Sequence, residues 1–163
     1  MFAHRAVAVS LFAVVLAACA ATPEAAPAEP AAAPAAAASL STTLQALGES
    51  GVAGTLTFTA TEHGVMVEGE ISGLQPGAQH GFHIHEKGDC SSPDGKSAGG
   101  HFNPGGVDHG GLEADPSHGG DLGNAEADEN GVAKISKMKH GITLTDGDNA
   151  ILGRGVIVHA KPD

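Results

Sequence analysis

Between Gly88 and Asp121 the chain runs for more than thirty residues rich in Gly, Pro, Asp and Ser, and no stretch of it reads as a helix or a strand. A compact domain seldom carries so long an irregular segment unless something besides ordinary secondary structure orders it. Within it, or at its end, stand His101, His109, His118 and Asp121, eight, nine and three residues apart, with glycine pairs at 99–100, 105–106, 110–111 and 119–120. Three imidazole nitrogens and one carboxylate oxygen suit a tetrahedral zinc ion. Glycine lets the backbone aim several side chains at one point, at an entropic cost that metal bonds must offset. The segment predicts a metal-ordered loop set in a stiffer frame.

That frame reads as short strands. Runs at 40–47, 54–61, 65–72, 79–86, 132–139 and 155–160 carry strand character, and 121–127 is a weaker one. Period-two alternation is plain in Thr55-Leu56-Thr57-Phe58-Thr59 and in Val65-Met66-Val67-Glu68-Gly69-Glu70-Ile71, with Glu62-His63-Gly64 as the turn between them. Gln75-Pro76-Gly77 and Asp128-Glu129-Asn130-Gly131 supply further turns. Twenty-four Gly, five Phe and neither Trp nor Tyr fit short strands better than long helices. An all-β antiparallel sandwich or barrel follows.

Strand 79–86 contains His83 and His85. Side chains two apart on a strand share a face about 6.5 Å from one another, within reach of one ion, although such pairs also occur on exposed strands by chance. With His159 from another strand they would suit copper, which makes two ions plausible. His63, His80 and His140 read as surface or structural residues.

The N-terminus reads as an address. His4 and Arg5 precede an apolar run at 6–18 that is too short to span a bilayer, so residues 1–18 are expected to be a secretory signal. Leu16-Ala17-Ala18-Cys19 resembles the lipobox of bacterial lipoproteins, which implies cleavage before Cys19 and lipidation of that thiol. An ordinary signal peptide is the simpler alternative. Residues 19–39, nearly all Ala and Pro, are expected to be a tether holding a domain at 40–163 away from a lipid surface.

Gly81-Phe82-His83-Ile84-His85-Glu86-Lys87-Gly88-Asp89, Ala98-Gly99-Gly100-His101-Phe102-Asn103-Pro104, His109-Gly110-Gly111, His118-Gly119-Gly120-Asp121-Leu122-Gly123-Asn124 and the run from Gly153-Arg154 to His159 together resemble the copper/zinc superoxide dismutase family. The resemblance covers residues 40–163. It implies a Greek-key β-sandwich of immunoglobulin-like architecture. It implies copper on His83, His85, His101 and His159, and zinc on His101, His109, His118 and Asp121. His101 is then shared, bridges the ions in the oxidised state and carries the catalytic proton. Asp163 would hydrogen-bond His83 and His109 from outside. The activity implied is dismutation of superoxide to O2 and H2O2, in the bacterial periplasm or cell envelope, with a lipid anchor on Cys19 and with a homodimer left open.

In the family the chain continues past the last copper histidine through a second loop, an Arg beside copper, a Cys that bonds the one corresponding to Cys90, and a final strand. This sequence runs to Asp163. The expectations are a free or intermolecularly paired Cys90, an unpaired strand edge and no arginine guide, since side-chain parity turns Arg154 away from the site. A second function therefore stands beside the enzyme: an envelope protein that holds copper and zinc with little or no dismutase activity. A formal charge of −11 excludes nucleic acid as a partner. For an anionic substrate the local field at the ions outweighs distant carboxylates, which are screened beyond about 8 Å.

Overall fold

The computed structural model describes residues 37–163. The expected signal, Cys19 and nearly all of the expected tether lie outside them. Within the described part seven strands follow one another: β1 (Ser39–Leu44), β2 (Ala53–Thr61), β3 (Gly64–Ser72), β4 (Gln79–His85), β5 (Asp121–Glu126), β6 (Ala133–Lys139) and β7 (Gly155–Val158). They form two antiparallel sheets, one in the order β1-β2-β3-β6 and the other β5-β4-β7. The chain changes sheet between β3 and β4, between β5 and β6, and between β6 and β7, so the sandwich is laced by Greek-key crossings.

Alternation sorts the faces. Leu56 and Phe58 on β2, Val65, Val67 and Ile71 on β3, Phe82 and Ile84 on β4, Leu122 on β5 and Ile135 on β6 meet in one core. Phe102, from the long loop, joins them. On β4 the opposite face is covered as well: His83 is 3% and His85 6% exposed, because residues 86–120 fold back over that side. A strand buried on both faces, apolar on one and imidazole on the other, is what places the site.

The turns follow their residues. Glu62 and His63 link β2 to β3 as a two-residue hairpin. Ala78 N–H donates to the Gln75 carbonyl at 3.1 Å, with Gly77 at φ +69°, which is the turn geometry that Pro76-Gly77 favours. Asp128 Oδ1 accepts from the N–H groups of Asn130 (2.8 Å) and Val132 (2.9 Å), closing the turn into β6.

Two strand ends differ from the expectation by more than one residue, and the loop by one short element. β1 stops at Leu44 instead of 47, because its partner β2 begins at Ala53 and the ladder ends at Leu44 with Gly54. β7 stops at Val158 instead of 160, where its regular ladder with β4 ends at Phe82; beyond it His159 N–H donates to Gly81 O and Gly81 N–H to Lys161 O, both at 2.7 Å. The long loop is not wholly irregular: a 3-10 turn at Lys96–Ala98 buries Ala98, whose carbonyl accepts from Lys87 N–H at 2.9 Å.

Candidate metal centre

Three backbone segments meet where the loop returns to β4. Ile84 N–H donates to Gly120 O, Gly120 N–H to Phe102 O, and Phe102 N–H to Ile84 O, each at 2.8 Å. This ring of bonds sits between His83 and His85, beside His101, and just before Asp121. It thereby sets the relative positions of residues that lie up to thirty-eight apart in sequence. His101 also bridges to His85 in antiparallel fashion. His159 enters from the end of β7, and its carbonyl accepts from His80 Nδ1–H at 2.8 Å. His80, expected to be structural, thus braces the backbone of a candidate ligand.

Two sets of four donors result, beside a smaller group of His83, His109 and Asp163. His83, His85, His101 and His159 converge with ligand atoms within 4.8 Å of one another, and so do His101, His109, His118 and Asp121; His101 belongs to both. The rings of His83 and His85 lie 6.4 Å apart, and those of His83 and His101 stack at 3.9 Å.

In the second set Asp121 is fully buried. Its oxygens lie 3.0 Å from His101 Nδ1, 3.1 Å from His109 Nδ1 and 3.2 Å from His118 Nδ1. A tetrahedron with metal–ligand bonds of about 2.0–2.1 Å has edges of about 3.3 Å, so these separations fit one zinc-sized ion. The His118 contact is not aligned as a hydrogen bond, and His118 Nδ1 is buried with no partner. Burial pushes the Asp121 carboxyl up, but the N–H groups of Gly110 and His118 and the His101 ring outweigh it and hold the pKa below the usual carboxylate value. Asp121 is therefore an anion waiting among nitrogens.

In the first set the outer nitrogens of His83 and His85 are fixed, which turns the other nitrogen of each inward. His83 Nε2–H donates to Asp163 Oδ1 at 2.6 Å, and its Nδ1 is buried without a partner. His85 Nδ1–H donates to Gly99 O at 2.9 Å, which leaves Nε2 as a lone pair facing His159 Nε2 at 3.4 Å. Such outer bonds select the tautomer that ligates. Burial drives His83 down to about pKa 4 against the pull of Asp163; burial also lowers His85 and His159. Burial thus favours the neutral, cation-binding form of all three rings. An unpartnered buried nitrogen in each set, His83 Nδ1 and His118 Nδ1, together with the outer bonds of His83, His85 and His109, fits copper and zinc.

Asp163 joins the halves: its Oδ1 lies 2.6 Å from His83 Nε2 and 3.0 Å from His109 Nε2, and its N–H donates to Asn124 Oδ1 at 2.7 Å. Arg154 is engaged elsewhere, its guanidinium 3.5 Å over the Phe102 ring, Nε–H on Ala150 O and Nη1–H on Glu86 O. His63 and His140 are exposed and outside both sets; His140 Nδ1–H donates to His63 O at 2.7 Å. Cys90 is an exposed free thiol. Sequence reasoning missed Lys139, a buried cation bonded to Ser117 beside His118. The signal was there, because alternation puts Lys139 on the face of Ala133 and Ile135.

Comparison with known proteins places this geometry. The family model described as copper/zinc superoxide dismutase (SODC) matches residues 52–163. Among solved structures the chain is similar to one described as "Crystal Structure Analysis of the clock protein EA4", at 40% identity and TM-score 0.70, covering 79% of either chain.

Proposed function

Because this chain belongs to the copper/zinc superoxide dismutase family, whose model covers most of its described residues, we propose that it converts superoxide to O2 and H2O2 at a copper site joined to zinc through His101. The family uses copper and zinc, and both histidine clusters could hold metal ions. The observation that carries the proposal is that His101 is common to the two donor sets.

His83, through Nδ1, His85 and His159, through Nε2, and His101 would hold copper; His101, His109 and His118, through Nδ1, and Asp121 would hold zinc. What copper supplies when bound is one-electron redox, taking an electron from one superoxide, which leaves as O2, and returning it to a second, which leaves with two protons as H2O2. His101 serves that cycle as the proton carrier: Nδ1 stays turned to Asp121 while Nε2, on the copper side, takes up a proton and gives it to the second superoxide. Asp163 keeps His83 and His109 from rotating, and Gly99 does the same for His85.

The decisive measurement is stopped-flow decay of superoxide by the copper- and zinc-loaded protein at low and high salt. A rate near the diffusional ceiling that falls with salt and is lost in His101→Ala supports the enzyme, whereas a rate no better than aqueous copper refutes it. That second outcome would leave an envelope protein that holds both metals with little activity. One observation favours it: Arg154, the one arginine among the described residues, is committed to Phe102, Ala150 and Glu86.

The site of action is proposed from residues 1–39. The lipobox-like Leu16-Ala17-Ala18-Cys19 supports anchorage through Cys19 in the bacterial periplasm, and two acyl chains would hold the protein stably. Incorporation of labelled palmitate that vanishes in Cys19→Ala checks this; equal labelling of the variant sinks it.

A further inference from the structure

Lys139 ends β6, paired with Val65 of β3, and is 4% exposed. A buried ammonium must find acceptors, and Lys139 Nζ donates to Ser117 Oγ at 3.0 Å. Ser117 is joined by a peptide bond to His118, whose own N–H donates to Asp121 Oδ2 at 2.8 Å. Ser117, from the loop, and Lys139, from β6, both line a cleft of about 260 Å³, and their bond joins the two segments there. On the other side of His118 the chain is already held, through Gly120, by its bonds to Ile84 and Phe102, so Ser117 is where the near side is fixed. Burial lowers the Lys139 amine's pKa, while the charges of Asp121 and Glu113 favour its ammonium form. None of the donor geometry at either metal set uses this lysine.

We propose that Lys139 is a positioning residue for the His101, His109, His118 and Asp121 set: its bond to the Ser117 hydroxyl ties the peptide of His118 to the rigid end of β6 and fixes that imidazole before an ion arrives. The inference rests on the ligand assignment above. A charge-assisted hydrogen bond is about twice as strong as a neutral one, and a lysine rooted in a paired strand cannot follow the loop outward. The tether therefore resists lifting of the segment between His109 and His118.

The test is cobalt titration of the full metal-free chain under chelator competition, for wild type, Ser117→Ala, Ser117→Thr, Lys139→Met and the double variant Ser117→Ala/Lys139→Met. Wild type is expected to give the intense absorption of tetrahedral cobalt. Ser117→Ala should weaken cobalt binding about tenfold, the cost typical of losing an outer partner of a ligand, and shift the band. Ser117→Thr, which keeps the hydroxyl, should restore both. In the Lys139→Met background the Ser117→Ala change should cost nothing further, because the two residues act as one unit. Wild-type protein without the tetrahedral band overturns the ligand assignment and this proposal together. A wild-type band with unchanged affinity in Ser117→Ala, or an equal loss with and without Lys139, overturns the tether alone. Should Lys139→Met fail to fold, the Ala and Thr variants at 117 decide by themselves.

Discussion

At the scale of single residues, one carboxylate links the two halves. Asp163 has a side chain 9% exposed although its backbone is open, and it receives His83 Nε2–H and His109 Nε2 on the same oxygen. Asp163→Ala should weaken metal binding at both halves by about 10- to 100-fold with little change in fold; chelator competition measures it, and unaltered affinities would refute the role. Protons give a second prediction. His83 titrates near 6.5 when unfolded and near 4 when folded, so below pH 6.5 the unfolded chain binds protons that the native chain refuses. Stability of the metal-free protein should therefore fall as pH drops from about 6.5 to about 4, with the lowered His85 and His159 adding to the same slope. Urea midpoints across that range test it, and a midpoint that rises on acidification contradicts it.

At the scale of elements, much was legible and some was not. Alternation located every strand to within a few residues, because Leu56, Phe58, Val65, Val67 and Ile71 all have a core to point into. Spacing made His83, His85, His101, His109, His118 and His159 candidates, and only the family resemblance divided them into two sets sharing His101. Hidden were the backbone contacts that set the His85 tautomer, through the Gly99 carbonyl, and that orient the Asp121 carboxylate, through the Gly110 amide, since backbone groups leave no mark in a sequence. Lys139 was overlooked because a charge at an inward position reads as a strand end. The joint between loop and sheet is testable at Gly120, where an added β-carbon would collide with the Ile84 carbonyl oxygen. Gly120→Ala should destabilise the protein by about 1–3 kcal/mol and weaken metal binding as Asp121 moves. Asp128→Ala is the contrast: it removes three hydrogen bonds from the turn between β5 and β6, outside both donor sets, and should cost about 1 kcal/mol with metal affinity unchanged. Urea unfolding and chelator competition on both variants separate the two kinds of damage, and equal metal affinities in both would refute the joint.

At the scale of the molecule, the proposed metal sites imply that stability is divided between the sandwich core and the loop that carries the donors. Ligand present at a thousand times its dissociation constant adds about 4 kcal/mol per site. Stripping both metals should therefore lower the unfolding midpoint and speed amide exchange chiefly in residues 86–120, while β2 and β3 keep their protection. Exchange read by mass spectrometry checks this; uniform loosening would mean that loop and sandwich melt as one. The two-faced β4 carries a further consequence. Sliding that strand by one residue would swap Phe82 and Ile84 for His83 and His85, sending oily side chains toward the ions and imidazoles into the grease. Both halves of the mistake are penalised at once. Misaligned chains can neither settle nor capture cations, and the centre thereby proofreads the very strand it is built on.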